Sequence, residues 1–372
     1  MALGDDIKKL GFGLMRLPTL EGGEIDIEQL KRMVDLFLER GFTYFDTAYG
    51  YHNGQSEVAI GKALVERHDR ASYTLATKLP AWAGAKTAEE AKQMFYTSLE
   101  RTGAGYFDFY LLHNLGENRT ESFDKFGIWD FVQERKKEGL IKHVGFSFHD
   151  KPALLDELLT KHPEVEFVQL QINYADWEDP MIESRACYEV ARRHGKPVVI
   201  MEPVKGGQLV DLPNDVRQLF VQAKPEVSLA SWAIRYAASL PGIITVLSGM
   251  SNIAQVEDNT GFMQDFKPVS NGEREVISIA QRKLAQIPRI PCTGCRYCVK
   301  DCPMQINIPA IFKAINMKNV FGNEAAAKGN YRFATMRGGK ASDCIGCGQC
   351  ASVCPQHIQV PDELKKIAGI LE

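Results

Sequence analysis

The sequence predicts an α/β protein in which a (β/α)8 barrel over residues 1–265 is followed by a helical linker over 266–290 and a small, mainly helical domain over 291–372. Three observations lead to this prediction. In the first part, short apolar, β-branched or aromatic runs recur about every thirty residues, each followed by a segment with helical periodicity. Eight of the nine cysteines lie in the last part. The length of 372 residues exceeds what a single hydrophobic core usually supports.

Eight segments of the first part have the composition of buried strands. In chain order they are GFGLM from Gly11, TYFDT from Thr43, YTLATK from Tyr73, FDFYLLH from Phe107, HVGFS from His143, EFVQLQI from Glu166, PVVIM from Pro197 and IITVLS from Ile243. Eight βα units in roughly 250 residues are typical of a TIM barrel, in which active sites gather at the carboxyl ends of the strands. These strand ends are therefore where functional side chains are expected.

The segments between the strands carry helix signals. In the first of them, Ile27, Leu30, Val34, Phe37 and Leu38 form one apolar stripe, and Gly41 follows as a helix stop. Further along, Thr87 and Glu90 have the spacing of a capping box at a helix start.

The cysteines of the last part form two runs with the same spacing, C-x2-C-x2-C-x3-C-P. The runs comprise Cys292, Cys295, Cys298 and Cys302, and then Cys344, Cys347, Cys350 and Cys354. This spacing lets a chain wrap a [4Fe–4S] cubane, and in two-cluster ferredoxins the fourth cysteine of each run binds the other cluster. We therefore expect two clusters in a ferredoxin-like domain, held either in this crossed way or by each run closing on itself. Two other uses of the cysteines fit less well. Zinc sites typically use two separated pairs of ligands, so runs of this kind would leave cysteines unused. A disulfide scaffold needs an oxidising compartment, for which the sequence carries no signal.

The composition excludes several classes of protein. A formal net charge of −3 without a basic run argues against nucleic-acid binding. The sequence contains no stretch of roughly eighteen uncharged apolar residues, which argues against a membrane span. The first residues lack the apolar core of a signal peptide. A cytoplasmic protein is the expectation that follows.

Polar residues follow one another at the predicted strand ends. They are Asp46, Lys78, His113, Ser147, Gln169 and Glu202, with Tyr51 in the loop after Asp46. An Asp beside a Lys at a barrel mouth forms an ion pair, and a cationic Lys near a phenol lowers the pKa of the phenol. Tyr51 would then be able to deliver a proton near neutral pH, with His113 orienting a carbonyl group or relaying the proton. This set of groups suits the reduction of a C=O group by hydride from a cofactor.

The segment YFDTAYGYHNGQSEVAIGKAL resembles the signature of the aldo-keto reductases, and LATK, DFYLLH and VGFS follow in that family's order. The resemblance covers roughly residues 8 to 262, and the cysteine-rich part resembles the subgroup that ends in a ferredoxin-type domain. It implies a nicotinamide cofactor and a catalytic tetrad of Asp46, Tyr51, Lys78 and His113, with Tyr51 as the general acid. It also implies that Ser147 and Gln169 bind the nicotinamide carboxamide.

The residues expected to bind the cofactor are Gly13, Met15, Arg16, Ser147, Gln169, Met201, Lys205, Gly206, Gly249, Ser251, Gln255 and Asn259. This set departs from the family pattern at several positions. Met201 stands where an aromatic ring usually stacks on the nicotinamide, and Phe148 replaces the Asn of a carboxamide-binding Ser-Asn pair. Gly249 and Gln255 stand where basic residues usually hold the adenosine 2′-phosphate, so Arg16 or Lys205 would have to supply the charge. NADH, NADPH and a flavin phosphate all remain candidates.

Two hypotheses about function follow. The first is an oxidoreductase in which the barrel reduces a small carbonyl-type substrate with NAD(P)H, while the clusters exchange electrons with a redox partner protein. The second is an electron-transfer subunit whose barrel is a docking platform or binds a flavin. Nicotinamide gives up two electrons together whereas a cluster carries one, so direct coupling of the two would need a group that splits the pair.

Overall fold

A computed structural model describes residues 3–117, 119–180, 182–336 and 338–372. Its eight strands pair in parallel and in sequence order, and the last pairs with the first, which closes the barrel. The strands are β1 (Leu10–Gly13), β2 (Tyr44–Asp46), β3 (Thr74–Leu79), β4 (Phe107–Leu115), β5 (Ile141–Phe148), β6 (Phe167–Gln171), β7 (Val198–Met201) and β8 (Ile243–Ser248). Each overlaps the segment predicted for it, so the (β/α)8 barrel is confirmed.

Helices follow the strands as the periodicity predicts. Those of the first 285 residues are α1 (Ile27–Glu39), α2 (Gln55–Ile60), α3 (Ala88–Thr102), α4 (Thr120–Lys125), α5 (Ile128–Lys137), α6 (Pro152–Lys161), α7 (Ser184–Arg193), α8 (Asn214–Ala223), α9 (Leu229–Ala238), α10 (Ile253–Gln264) and α11 (Asn271–Ala285). At the start of α3, the Thr87 hydroxyl accepts a hydrogen bond from the Glu90 N–H. The Glu90 carboxylate accepts from the Lys86 N–H, one residue before the position that a capping box requires.

The last part of the chain is mainly helical, as predicted. Its helices are α12 (Tyr297–Lys300), α13 (Ile308–Phe321), α14 (Glu324–Thr335), α15 (Gln349–Ser352) and α16 (Val360–Leu371). Buried side chains of α13, α14 and α16 form one apolar core, and six of the eight cysteines belong to this core or pack against it. The cysteine-rich loops are thus held by a core of their own.

The chain divides into two compact units. The first comprises the residues up to Glu178, Glu183–Pro203 and Ala230–Val269, and it contains all eight strands. The second comprises Asp179–Ile182, Val204–Leu229 and Ser270–Glu372. The predicted limits at residues 265 and 290 stay a prediction. Within the described part of the chain, no helix has both the length and the apolar character needed to cross a membrane.

The interior of the barrel is filled by aromatic and aliphatic side chains from most of the strands. The rings of Tyr44 and Phe109 lie 5.2 Å apart, and those of Phe109 and Phe167 lie 5.0 Å apart, both edge to face. Gly145 on β5 leaves room for the Phe167 ring, because a Cβ atom at Gly145 would lie 2.6 Å from that ring. The absence of a side chain at Gly145 is therefore a packing requirement.

We expect G145A to destabilise the protein by about 1–3 kcal/mol, because the added methyl group overpacks a filled interior. The measurement is the apparent melting temperature by circular dichroism under anaerobic conditions. G272A is the matched control, since nothing lies within 4 Å of a Cβ atom at Gly272 in α11. A melting temperature of G145A equal to that of G272A would contradict the packing argument.

Candidate functional site

A buried ion pair lies at the carboxyl end of the barrel. Lys78 near the end of β3 donates from Nζ to Asp46 Oδ1 at the end of β2, over 2.5 Å, and to the carbonyl oxygen of Thr47, over 2.8 Å. The Lys78 side chain is fully buried and that of Asp46 is 3% exposed. Burial lowers the pKa of Lys78 and raises that of Asp46, while their mutual attraction opposes both shifts. The predicted pairing of these two residues is thus present in the structure.

Tyr51 lies beside this pair. It begins a 3-10 turn, Tyr51–Gly54, which is separated from the end of β2 by residues 47–50. Lys78 Nζ lies 5.0 Å from the centre of the Tyr51 ring, and the Tyr51 and His113 rings lie 5.8 Å apart. The structure therefore brings the four residues of the expected tetrad together, although three of them come from different strands and the fourth from a loop.

The loop that carries Tyr51 has an unusual backbone, fixed by a residue that the sequence analysis missed. His52, Asn53 and Gly54 all have positive φ. The Arg101 guanidinium donates to the carbonyl oxygen of Tyr49 over 3.0 Å and to the buried Glu57 carboxylate over 3.2 Å. Because this cation holds both the loop and the helix after it, it limits the positions that Tyr51 can adopt. No sequence signal marks Arg101, since it stands on an ordinary amphipathic helix, α3.

His113 lies deep in the same mouth, on β4. Its backbone carbonyl oxygen accepts a hydrogen bond from Trp82 Nε1 over 2.7 Å. Burial, assisted by the positive charge of Lys78, places the pKa of His113 well below its ordinary value of 6.5. A neutral imidazole is therefore the form present near pH 7, and it can donate one hydrogen bond without adding a charge.

The ends of β5, β6 and β7 carry three of the residues expected to contact the nicotinamide. Ser147 Oγ accepts a hydrogen bond from the backbone N–H of Asn114 over 2.7 Å. Gln169 Nε2 donates to the Met201 sulfur over 3.5 Å. Gln169 Oε1 is buried and has no hydrogen-bond partner among the described residues. An acceptor of this kind is available to a ligand in the mouth of the barrel.

Residues after β1 lie near the loop that follows β8. A Cβ atom at Gly13 would lie 3.4 Å from the carbonyl oxygen of Ser248, and one at Gly249 would lie 3.7 Å from the Arg16 side chain. Met15 and Arg16 are half-buried. Arg16 Nη2 forms an ion pair with Glu202 Oε1 over 2.9 Å. The charge of Arg16, expected to hold a phosphate, is thus balanced by a carboxylate from the end of β7.

The start of α10 uses several of its own polar groups. Gln255 Oε1 accepts from the Ser251 N–H over 2.7 Å, and Asn252 Oδ1 accepts from the Gln255 N–H over 3.0 Å. The Ser251 hydroxyl donates to the carbonyl oxygen of Arg16 over 2.7 Å. Asn259 is buried and donates to Ser248 Oγ over 2.7 Å, which anchors the helix to β8. A phosphate group would have to replace side-chain acceptors at these two N–H groups.

Lys205 and Gly206 belong to the second compact unit. Both have positive φ, and Lys205 is buried. Gly206 lies against the backbone of Thr293, and Gln208 Nε2 donates to the carbonyl oxygen of Cys292 over 2.7 Å. In the structure, the segment around these two predicted cofactor residues packs on the first cysteine run.

The eight motif cysteines surround two cavities, and the grouping crosses the two runs. One cavity is lined by Cys292, Cys295, Cys298 and Cys354, and the other by Cys302, Cys344, Cys347 and Cys350. Ile308 at the start of α13 lines both. Each cavity therefore offers four thiols, three from one run and the fourth from the other.

The arrangement of these thiols fits a cubane better than a single ion. Among the described residues, no three Cys, His, Asp or Glu side chains converge closely enough to bind one metal ion. In a cubane each cysteine binds a different iron, so the sulfur atoms lie farther apart. Burial raises the pKa of Cys298 above its ordinary value and that of Cys350 to about 11. The positive charge of a bound metal would oppose this shift and favour the thiolate form.

The sequence profile of the aldo/keto reductase family matches residues 9–273. The chain belongs to this family. A second profile, that of a 4Fe–4S dicluster domain, matches residues 291–358. The chain is thus an aldo-keto reductase, and hence an oxidoreductase, with a C-terminal 4Fe–4S domain. The predicted family and its domain combination are confirmed.

Known relatives resemble the barrel part. An uncharacterized oxidoreductase of Bacillus subtilis, YqkF, is 26% identical over 289 residues, which cover 68% of this chain and 86% of YqkF. The holo form of aldo-keto reductase AKR11C1 from Bacillus halodurans is 26% identical, with a TM-score of 0.59 over 75% of this chain and 95% of that one. An aldo-keto reductase from Klebsiella pneumoniae in complex with NADPH is 18% identical, with a TM-score of 0.57 over 74% and 92% of the two chains. The last shows a shared fold alone.

The low pKa of His113 has a consequence for stability. An unfolded chain binds a proton at this histidine near pH 6.5 whereas the folded barrel does not, so stability falls as pH drops below 6.5. We expect this residue to account for roughly 1 kcal/mol of lost stability between pH 7.5 and 5.5. H113N should remove this contribution to the pH dependence of stability. The measurement is the free energy of unfolding by urea, compared between the variant and the wild type at pH 7.5 and at pH 5.5. A difference that does not change with pH would contradict the assignment.

Proposed function

We propose that the barrel reduces a small carbonyl compound with a nicotinamide dinucleotide, and that Tyr51 supplies the proton. The observation that carries this proposal is the position of Lys78, whose Nζ lies 5.0 Å from the Tyr51 ring while it is held by the buried Asp46. The positive charge of Lys78 favours the phenolate that remains after Tyr51 has released its proton.

Each member of the tetrad then has a role that follows from its surroundings. Tyr51 gives its proton to the carbonyl oxygen as negative charge develops there. Neutral His113 donates a hydrogen bond to the same oxygen and orients it. Asp46 holds Lys78 in place and offsets the cost of burying its charge. The cofactor, when bound, supplies the hydride that reaches the carbonyl carbon.

The residues around the mouth fit the nicotinamide end of such a cofactor. The unpartnered, buried Gln169 Oε1 can accept a hydrogen bond from the carboxamide, and the Ser147 hydroxyl can donate one. Met201 offers a polarisable thioether in place of an aromatic ring. At the other end, Glu202 neutralises Arg16, and Gly249 and Gln255 carry no charge, which supports NADH over NADPH. A flavin in the same place is the alternative.

For the C-terminal domain we propose two [4Fe–4S] clusters with crossed ligands. Cys292, Cys295, Cys298 and Cys354 would hold the first, and Cys302, Cys344, Cys347 and Cys350 the second. The grouping of the thiols around the two cavities supports this assignment over runs that close on themselves. Such clusters supply one-electron chemistry.

A redox partner protein is the expected source or acceptor of these electrons. The support comes from the second cavity, where Cys347 is exposed and Ile345 and Met304 are 64% and 37% exposed. Metal bound there would lie near the surface, within reach of a second protein. The first cavity has no exposed cysteine.

Y51F should lower the rate of NAD(P)H-dependent carbonyl reduction by roughly 10²–10⁴-fold, because the general acid is lost. The measurement is turnover of small aldehydes and ketones by anaerobically purified protein, followed as loss of NADH or NADPH absorbance. Cofactor affinity should stay close to that of the wild type.

The matched control is Y49F. Tyr49 lies two residues away in the same loop and its ring packs under Arg101, 4.4 Å from the guanidinium carbon. Its hydroxyl has no part in the proposed chemistry, so Y49F should keep most of the turnover. Full turnover by Y51F would show that the tetrad has no catalytic role.

The ligand assignment predicts a pattern in the iron content of multiple variants. The triple variant C292S/C295S/C298S should keep one cluster, with about four iron atoms per chain instead of about eight. Adding C354S to this triple variant should change nothing further. Adding C302S should remove the remaining cluster, because Cys302 is a ligand of it.

Iron and sulfide analysis of anaerobically prepared protein checks this pattern. If each run closes on itself, the outcome reverses, and the remaining cluster survives the loss of Cys302 but not that of Cys354. Zinc in place of iron in the wild-type protein would exclude the clusters altogether.

A further inference from the structure

Asn114, which directly follows His113, carries a buried side chain amide whose two polar atoms have no partner. It is 0% exposed, and among the described residues neither Oδ1 nor Nδ2 has a hydrogen-bond partner. We propose that Asn114 binds the carboxamide of the nicotinamide and so replaces the Asn that the family pattern places where this chain has Phe148. This inference rests on the proposed function.

The pairing of β4 with β5 puts Asn114 on the inner side of the barrel wall. Leu112 pairs with Phe146 and Leu115 pairs with Phe148, so His113 and Asn114 together stand opposite the single residue Ser147. An extra residue of this kind is a β-bulge, which redirects a side chain and is often found beside active sites. Leu112 and Leu115 flank the bulge as Phe146 and Phe148 flank Ser147. His113 and Asn114 therefore share the side on which Ser147 lies.

The backbone of Asn114 fixes this arrangement. Its φ is 60°, in the left-handed region that asparagine tolerates better than most residues. Its N–H donates to Ser147 Oγ over 2.7 Å, and its carbonyl oxygen accepts from Arg119 Nε over 2.6 Å. Because the Ser147 oxygen already accepts a hydrogen bond, its own hydroxyl proton is available to a ligand. Asn114 and Ser147 thus form a pair on neighbouring strands.

Phe148 cannot do what the family pattern requires at its position. Its side chain is apolar and 2% exposed, and its ring lies 6.4 Å from that of Phe146. The missing polar group on β5 and the unpartnered amide on β4 are therefore complementary. In the proposed arrangement, a polar side chain on β4 takes the role that the family pattern gives to a residue on β5.

The chemistry of the amide selects its ligand. A buried donor or acceptor without a partner costs stability, so natural proteins rarely keep one without a use. Asn114 presents one acceptor and two donor hydrogens. A carbonyl substrate offers only acceptors and would leave Oδ1 unpaired. A carboxamide offers both an acceptor and a donor, and so satisfies both ends of the side chain.

The test compares three ligands by isothermal titration calorimetry on anaerobic, full-length protein. They are NADH, ADP-ribose, which lacks the nicotinamide, and the reduced 3-acetylpyridine analogue of NADH, which lacks the amide N–H2 group. N114A should weaken NADH binding about tenfold and leave ADP-ribose binding unchanged. The wild type should bind the acetylpyridine analogue more weakly than NADH. This difference should be smaller in N114A, where Gln169 Oε1 is the remaining acceptor for the carboxamide N–H2 group.

Several results would overturn the inference. Unchanged NADH affinity in N114A, or equal weakening of NADH and ADP-ribose, would contradict a contact with the carboxamide. The melting temperature of ligand-free N114G gives a second check, because glycine tolerates the left-handed φ of this position and loss of an unpartnered buried amide should leave the value close to that of the wild type. A clear fall would mean that Asn114 is structural. If the wild type binds neither NADH nor NADPH, the proposed function itself fails, and the inference with it.

Discussion

The ion pair between Lys78 and Asp46 is the constraint on which the candidate active site depends. A lysine with no exposed surface needs a compensating charge, and the end of the neighbouring strand provides it. The parallel pairing of β2 with β3 fixes the two strand ends side by side, so the ion pair is a direct product of the fold. Tyr51 then meets a positive charge held in a water-poor place, where electrostatic effects on a phenol are strongest. An arrangement of this kind lowers stability in return for reactivity.

The clusters proposed for the C-terminal domain would add a second kind of electron transfer. Hydride transfer moves two electrons together, whereas a cluster moves one at a time. The four groups at the barrel mouth suit the first process and need no cluster. A cluster held in part by the exposed Cys347 would suit the second and would need no nicotinamide. The segment Val204–Leu229 lies within the range matched by the aldo/keto reductase profile yet is grouped with the cysteine-bearing unit. The range matched by the aldo/keto reductase profile therefore extends into the unit that bears the cysteines.

The strands and the main catalytic candidates could be predicted from the sequence because each leaves a local signal. Buried parallel strands are runs of apolar residues, and Asp46, Lys78 and His113 stand out as polar residues at the ends of such runs. Other features have no local signal. Arg101 acts from an ordinary helix, and Glu202 neutralises Arg16 across 186 positions of sequence. The role proposed for Asn114 depends on a bulge, which is defined by pairing between strands and not by residue type. The sequence likewise does not decide which cavity the fourth cysteine of each run lines, because this depends on contacts between distant segments.

In the proposed reaction, hydride passes directly from a nicotinamide bound in the barrel to a carbonyl carbon, without passage through the clusters. Reduction with NADH deuterated at C4, under anaerobic conditions in ordinary water, tests this most directly. Use of the two C4 epimers in parallel covers either face of the ring. One epimer should deliver its deuterium to the carbinol carbon of the product, as measured by mass spectrometry and NMR. A product that carries only hydrogen from the solvent at this carbon with both epimers would contradict it.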